Sequence, residues 1–178
     1  MCQIFDKLFI KRFCLPFNAD VSNYEIGDSR ISSCYCGNYN HACCIVQGKE
    51  PYYEKGYNVL SYGFNMLGDI SGNQPGIHAE HDAINRLKPL TRKKHLQNIN
   101  MLVIRISKIN KLQNSKPCAN CIEIMRLLPE KKGYRIKNIF YSDENGNIIK
   151  SNLKNLENDN LHYTKFFRKN KGQRKSCA

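Results

Sequence analysis

Two short stretches hold side chains able to bind a metal and move a proton: GIHAEHDAINRL, residues 76–87, and KPCANC, residues 116–121. His78 offers a neutral imidazole nitrogen, and Cys118 with Cys121, a Cys-x-x-Cys pair behind Pro117, offers two thiolates. One nitrogen and two sulfurs suit Zn²⁺, and three protein ligands leave a fourth tetrahedral position to water, as in a catalytic rather than a closed structural site. Both stretches read as helix starts, where unpaired N–H groups and the dipole favour negative charge and help the thiols ionise. Glu80, two residues past His78, is the carboxylate placed to work beside such a metal. It can take a proton from an activated water and pass it to a ring nitrogen and then to a leaving amine. Those roles describe hydrolytic deamination of an amino-substituted heterocycle. Alone, His78 reads as a capping or surface residue and Glu80 as a partner of the helix dipole; the combination carries the reading.

Positioning these groups requires an ordered alternation of strands and helices. The segment CQIFDKLFIKRF, residues 2–13, spaces its apolar residues for a short helix, and residues 18–40 read as an irregular, polar loop. ACCIV, residues 42–46, and YNVLSYGFN, residues 57–65, read as a hairpin. The first motif then opens a helix whose Ala79, Ala83, Ile84 and Leu87 share one face, with Pro89 as its stop. NMLVIRIS, residues 100–107, is a buried strand by its β-branched run, and a polar loop leads to Pro117. A second helix spans Ala119–Leu128, with Ile122, Met125 and Leu128 inward and Pro129 as its stop. KNIFYS, residues 137–142, is the next strand, ENGN its turn, and a further helix follows from Ser151. This order is α/β, and helices between strands imply parallel pairing at least in part.

The 178 residues fit one domain. Hydrophobic residues make up 41% of the chain, and no apolar run is long enough to cross a bilayer, which excludes a membrane-spanning helix. The N-terminal stretch breaks its apolar residues with Asp6, Lys7, Lys11 and Arg12, unlike a secretory signal, so the expected location is intracellular and cytoplasmic. Nine cysteines, an odd count in that setting, point to reduced thiols, some of them metal-bound, rather than a disulfide framework. The net charge of +13 is uneven: residues 88–137 carry 13 Lys and Arg against Glu123 and Glu130, and residues 165–178 carry six with no acid. Such segments fit a polyanionic or phosphorylated partner, or a merely solvated basic face. The tail KFFRKNKGQRK, residues 165–175, can stack on bases and neutralise phosphates, or be a disordered solubilising end or a nuclear-import signal, which leaves a nuclear location open.

With these motifs the chain resembles the zinc-dependent cytidine and deoxycytidylate deaminase superfamily. His78, Ala79 and Glu80 match its H-x-E signature, and Pro117, Cys118 and Cys121 its P-C-x-x-C signature. The likeness runs over roughly residues 42–142, including the strands flanking each motif. The resemblance implies a three-layer α/β/α sandwich with a central mixed sheet and the two motif helices side by side on one face. It implies Zn²⁺ held by His78, Cys118 and Cys121, with Glu80 as proton shuttle. Ala79 would present its backbone to the base and Asn65 would contact the sugar. The implied substrate is the cytosine base of a free nucleoside or nucleotide, converted to uracil with release of ammonia, in a homo-oligomer. Three regions follow: an irregular extension over residues 1–41, a deaminase domain over 42–164, and a basic tail over 165–178. The separation of 40 positions from His78 to Cys118 is longer than in compact members, which suggests extra length around TRKKHLQN or SKINKLQNSK, near the mouth of the site. Two other readings stay open: a deaminase of a base within single-stranded DNA or tRNA, motivated by the basic segments, and a non-catalytic, zinc-stabilised nucleic-acid-binding module.

Two further clusters hold ligand-type residues. CYCGNYNHACC, residues 34–44, gathers Cys34, Cys36, His41, Cys43 and Cys44 and could hold a second, structural zinc, although buried reduced thiols are the commoner reading. SDENGNIIK, residues 142–150, lacks the ligand spacing and terminal Glu of a calcium loop and reads as a turn.

Overall fold

The computed structural model describes residues 39–48, 57–66, 76–91, 95–107, 111–159 and 162–163. The expected helix over 2–13, Cys34 and Cys36, and the basic tail lie outside them. Strands β1 (Tyr39–Gly48) and β2 (Tyr57–Phe64) form the expected antiparallel hairpin. β1 begins three residues before the change of texture at Ala42. Helix α1 (Ala79–Arg86) leads to β3 (Gln97–Ser107), a two-residue strand β4 (Leu112–Gln113) and helix α2 (Ala119–Lys131). β5 (Tyr134–Ser142), β6 (Ile148–Ser151) and helix α3 (Leu153–Glu157) complete the described chain.

The strands form one mixed six-stranded sheet in the order β2-β1-β3-β5-β6, with β4 paired to the end of β3. β3 and β5 run parallel around the α2 crossover, and the other pairs are antiparallel. β4 falls within the stretch expected to be a polar loop; its pairing of Leu112 with Ile106 and Gln113 with Arg105 supplies the strand character that its own sequence lacks.

Strand alternation sends neighbouring side chains to opposite faces, and two cores result. Cys43, Ile45, Met101, Val103 and Ile139 face α1, α2 and α3, while Ala42, Cys44, Val46, Leu102, Ile104 and Phe140 form the core of the other face. The two motif helices share the first face, and every described helix packs there. Cys43 and Cys44 therefore point away from each other and cannot join one metal ion. Among the described residues, His78, Cys118 and Cys121 are the one group arranged to hold a metal.

α2 does not stop at Pro129 but runs on to Lys131. Pro129 has no N–H to return to Met125 O, yet the helix continues for two residues beyond it. Gly133, at φ 93°, ends it, and its N–H donates to Glu130 O. A left-handed glycine after the last turn is the stronger stop. At the opposite turn, Asp143 Oδ1 accepts N–H bonds from Asn145 and Asn147, and Gly146 takes φ 82°. SDENGNIIK is thus a side-chain-stabilised turn, as expected.

Candidate metal centre

His78 and Cys118 occupy the N-cap positions of α1 and α2, each with extended backbone and no side-chain capping bond. Their side chains are thereby released from capping and turned toward each other. Cys121, one turn into α2, completes the group. His78 Nδ1 lies 3.2 Å from Cys121 Sγ and 3.5 Å from Cys118 Sγ, and all three donor atoms lie within 4.8 Å of one another. A tetrahedral Zn²⁺ with bonds of about 2.0 Å to nitrogen and about 2.3 Å to sulfur separates such atoms by roughly 3.6 Å. The donor set and its spacing fit that ion.

The electrostatics of the three groups are coupled. The hydrogen bond with Cys121 draws the Cys118 thiol down to about 4 against the opposing effect of its burial, and contact with His78 adds to the fall. The same bond pushes Cys121 up, and the hydrogen bond with Cys118 raises His78. One thiolate is therefore already favoured among these side chains, the state a metal requires.

Glu80 is 4% exposed, and burial raises its carboxyl above the usual carboxylate range. It lies against Cys121, with His78 close enough to pull in the opposite direction. In an ideal helix Glu80 would sit about 200° from His78. The extended backbone of His78 removes that constraint, and both side chains reach the same group.

Packing of α1 on β2 sets this geometry. Gly63 lies directly under α1, where an added Cβ would collide with Ala79 O and Ala83 N. Ser61 Oγ donates to Ala83 O at 2.9 Å, and Phe64 N–H donates to Asp82 Oδ2 at 3.1 Å. Asp82 also pairs with Arg86. α2 is approached through a buried serine pair: Ser115 Oγ donates to Val103 O, Ser142 N–H donates to Ser115 Oγ, and the two hydroxyls lie 2.8 Å apart. Past α3, His162 O accepts the Ala119 N–H, and Lys116 pairs with Asp159, so the end of the described chain is fastened beside Cys118.

Ala79 is buried, with its carbonyl packed against Gly63. Asn65 follows β2, and its Oδ1 accepts the His41 N–H at 2.8 Å while its own N–H donates to His41 O. Asn65 is thus tied to β1 through its side-chain oxygen. The sequence offered His41 only as a ligand of a second zinc and gave no site signal for Arg105; strand register pairs the two.

The basic residues divide by location. Lys131 and Lys132 stand at the C-terminal end of α2, about 20 Å along its axis from Cys118. Lys132 Nζ donates to Asn85 O and Leu87 O, and Arg135 pairs with Glu130. Leu90 N–H and Gln97 N–H bond to Lys132 O and Gly133 O, so the TRKKHLQN connection leaves and re-enters at that far end, not at the mouth of the site. Of the two segments expected to border the site, it is SKINKLQNSK whose described residues 111–116 lead into the N-terminus of α2.

Comparisons of the chain with protein-family models, with curated proteins and with solved structures return no match. No described helix is long and apolar enough to cross a membrane.

Proposed function

We propose that the protein is a zinc-dependent hydrolase that deaminates the cytosine base of a free nucleoside or nucleotide to uracil, releasing ammonia. The observation that carries this reading is a buried, proton-retentive carboxylate, Glu80, set against a His-Cys-Cys group whose donor spacing fits zinc. When bound by His78, Cys118 and Cys121, zinc supplies Lewis acidity and a water that is nucleophilic at neutral pH.

The chain's own part is proton transfer in a dry setting. Glu80 accepts a proton from the attacking water as the C4–O bond forms and delivers one to N3 of the pyrimidine. It then takes the remaining proton of the hydroxyl now on C4 and carries it to the exocyclic amine as the C4–N bond breaks, leaving the C4 carbonyl and ammonia. Burial of Glu80 brings its pKa closer to the working pH, the condition for a group that both takes and gives a proton. The lysines at the C-terminal end of α2 stand far from this group, which favours a small substrate over a strand laid across them. The test is E80Q in the full chain: zinc content stays near that of the wild type while turnover of cytidine, deoxycytidine, CMP and dCMP falls by about 100-fold or more. Retained turnover in E80Q overturns the assignment.

A further inference from the structure

Helix α2 begins at Ala119 with Cys118 as its N-cap, and the Cys118 side chain makes no capping bond. A helix start leaves its first N–H groups without partners, and a cap side chain ordinarily accepts one of them. With the Cys118 sulfur turned to His78 and Cys121, an acceptor comes from far along the chain: His162 O takes the Ala119 N–H at 2.9 Å. On the other side of Cys118, Lys116 Nζ meets Asp159 Oδ2 at 2.6 Å. The chain just past α3 therefore grips both flanks of one metal ligand.

The root of this grip is fixed. Asn152 Oδ1 accepts the Asn155 N–H and so caps α3, and Leu156 anchors that helix in the core shared with α1 and α2. The other two ligands are held by other means: His78 leads into α1, which is pressed on β2 at Gly63, and Cys121 lies inside α2. Cys118 stands at the boundary where Pro117 hands the chain to the helix, so its place depends on how the chain enters α2. Metal bonds tolerate about 0.2 Å, and a small shift at this entry point is enough to open the Cys118 position.

We infer that Asp159 and the His162 carbonyl form a strap that positions Cys118 and sets how readily the metal leaves through it. With the strap docked, Cys118 is held toward His78 and Cys121. When the strap lifts, Cys118 turns away first and the metal exchanges. The inference rests on the zinc-binding part of the reading above and not on deamination.

Ala119→Pro in the full-length, zinc-loaded chain tests it. Proline at the first helical position keeps the helix, and the extended backbone of Cys118, φ −78° and ψ 165°, is what a residue before proline adopts. The substitution removes the N–H and places a ring carbon where it pointed, which pushes His162 away. Ala119→Ser keeps the N–H and is the reference. Zinc transfer to a chromophoric chelator is about 2- to 10-fold faster from A119P than from A119S, the size of one lost hydrogen bond. The urea midpoint of the zinc-free chain is equal in the two, because proline's restriction of the unfolded chain offsets the lost bond. Lys116→Met keeps the stem and removes the charge; it releases zinc about 1.5- to 5-fold faster than wild type at low ionic strength, and the difference closes at high salt, as for an exposed ion pair. Equal release from A119P and A119S overturns the strap, as does faster release accompanied by a lowered midpoint of the zinc-free chain, which marks plain loss of stability. Wild-type release from K116M at low salt removes Asp159 from the strap, and overturns the whole inference should A119P fail to fold. Strap-dependent release from a chain that deaminates no cytosine compound leaves the strap standing and removes the deaminase reading; deamination with release insensitive to both variants does the opposite.

Discussion

Gly63→Ala adds one carbon at the closest approach between sheet and helix. That carbon would stand 2.7 Å from Ala83 Cα and closer still to Ala79 O and Ala83 N, all of them backbone atoms that no rotamer change can move. Ordinary contact begins near 3.4 Å. The start of α1 must therefore retreat by roughly 1 Å, and His78 and Glu80 move with it, while Cys118 and Cys121 stay on α2. Metal bonds tolerate about 0.2 Å, so the displaced His78 no longer closes the tetrahedron. Zinc affinity falls by about 10- to 100-fold, a size typical of disturbed ligand support. A misplacement of about 1 Å also lowers turnover by about 100-fold. Overpacking costs about 1–3 kcal/mol, or about 3–10 °C in Tm for a chain of this length. Competition for zinc against a chromophoric chelator and thermal unfolding of the metal-loaded protein read the two effects separately. G63A with wild-type zinc affinity and an unchanged Tm refutes the claim that the Gly63 contact places the metal ligands.

His41 makes stability depend on acid. Its folded pKa of about 4 lies below the ordinary 6.5, so between those values the unfolded chain binds the proton that the folded chain refuses. Stability is full above about pH 6.5 and declines toward pH 4 by up to about 3 kcal/mol. Urea unfolding of wild type and H41Q across this range gives converging curves as pH falls; a constant difference contradicts the assignment. Ser115→Ala removes the hydroxyl that accepts the buried Ser142 N–H and donates to Val103 O. The variant loses about 1–3 kcal/mol in denaturant unfolding and releases zinc to chelator faster, because residues 113–117 lead directly into Cys118. Unchanged unfolding and zinc release show the pair to be dispensable.

The apolar runs of β1, β3 and β5, the inward stripe of α1, and the N-terminal positions of His78 and Cys118 were legible along the chain, because each depends on local composition, a local period or a helix start. β4 was not, since two polar-flanked residues become a strand through pairing alone. The end of α2 was misread because Pro129 is a conspicuous local signal, while the glycine that stops the helix acts through a left-handed backbone four residues later.

The sequence by itself determined which residues could hold a metal and which carboxylate accompanies them, since ligand type and the C-x-x-C and H-x-E spacings are written in the chain. Tertiary structure alone decided that His78, 40 positions before Cys118, comes to within 3.5 Å of both sulfurs, that Cys43 and Cys44 face apart, and that His41 stands opposite Arg105 at the metal end. These are matters of register and helix direction, which arise only when strands pair and helices settle on a sheet, and no local spacing encodes them.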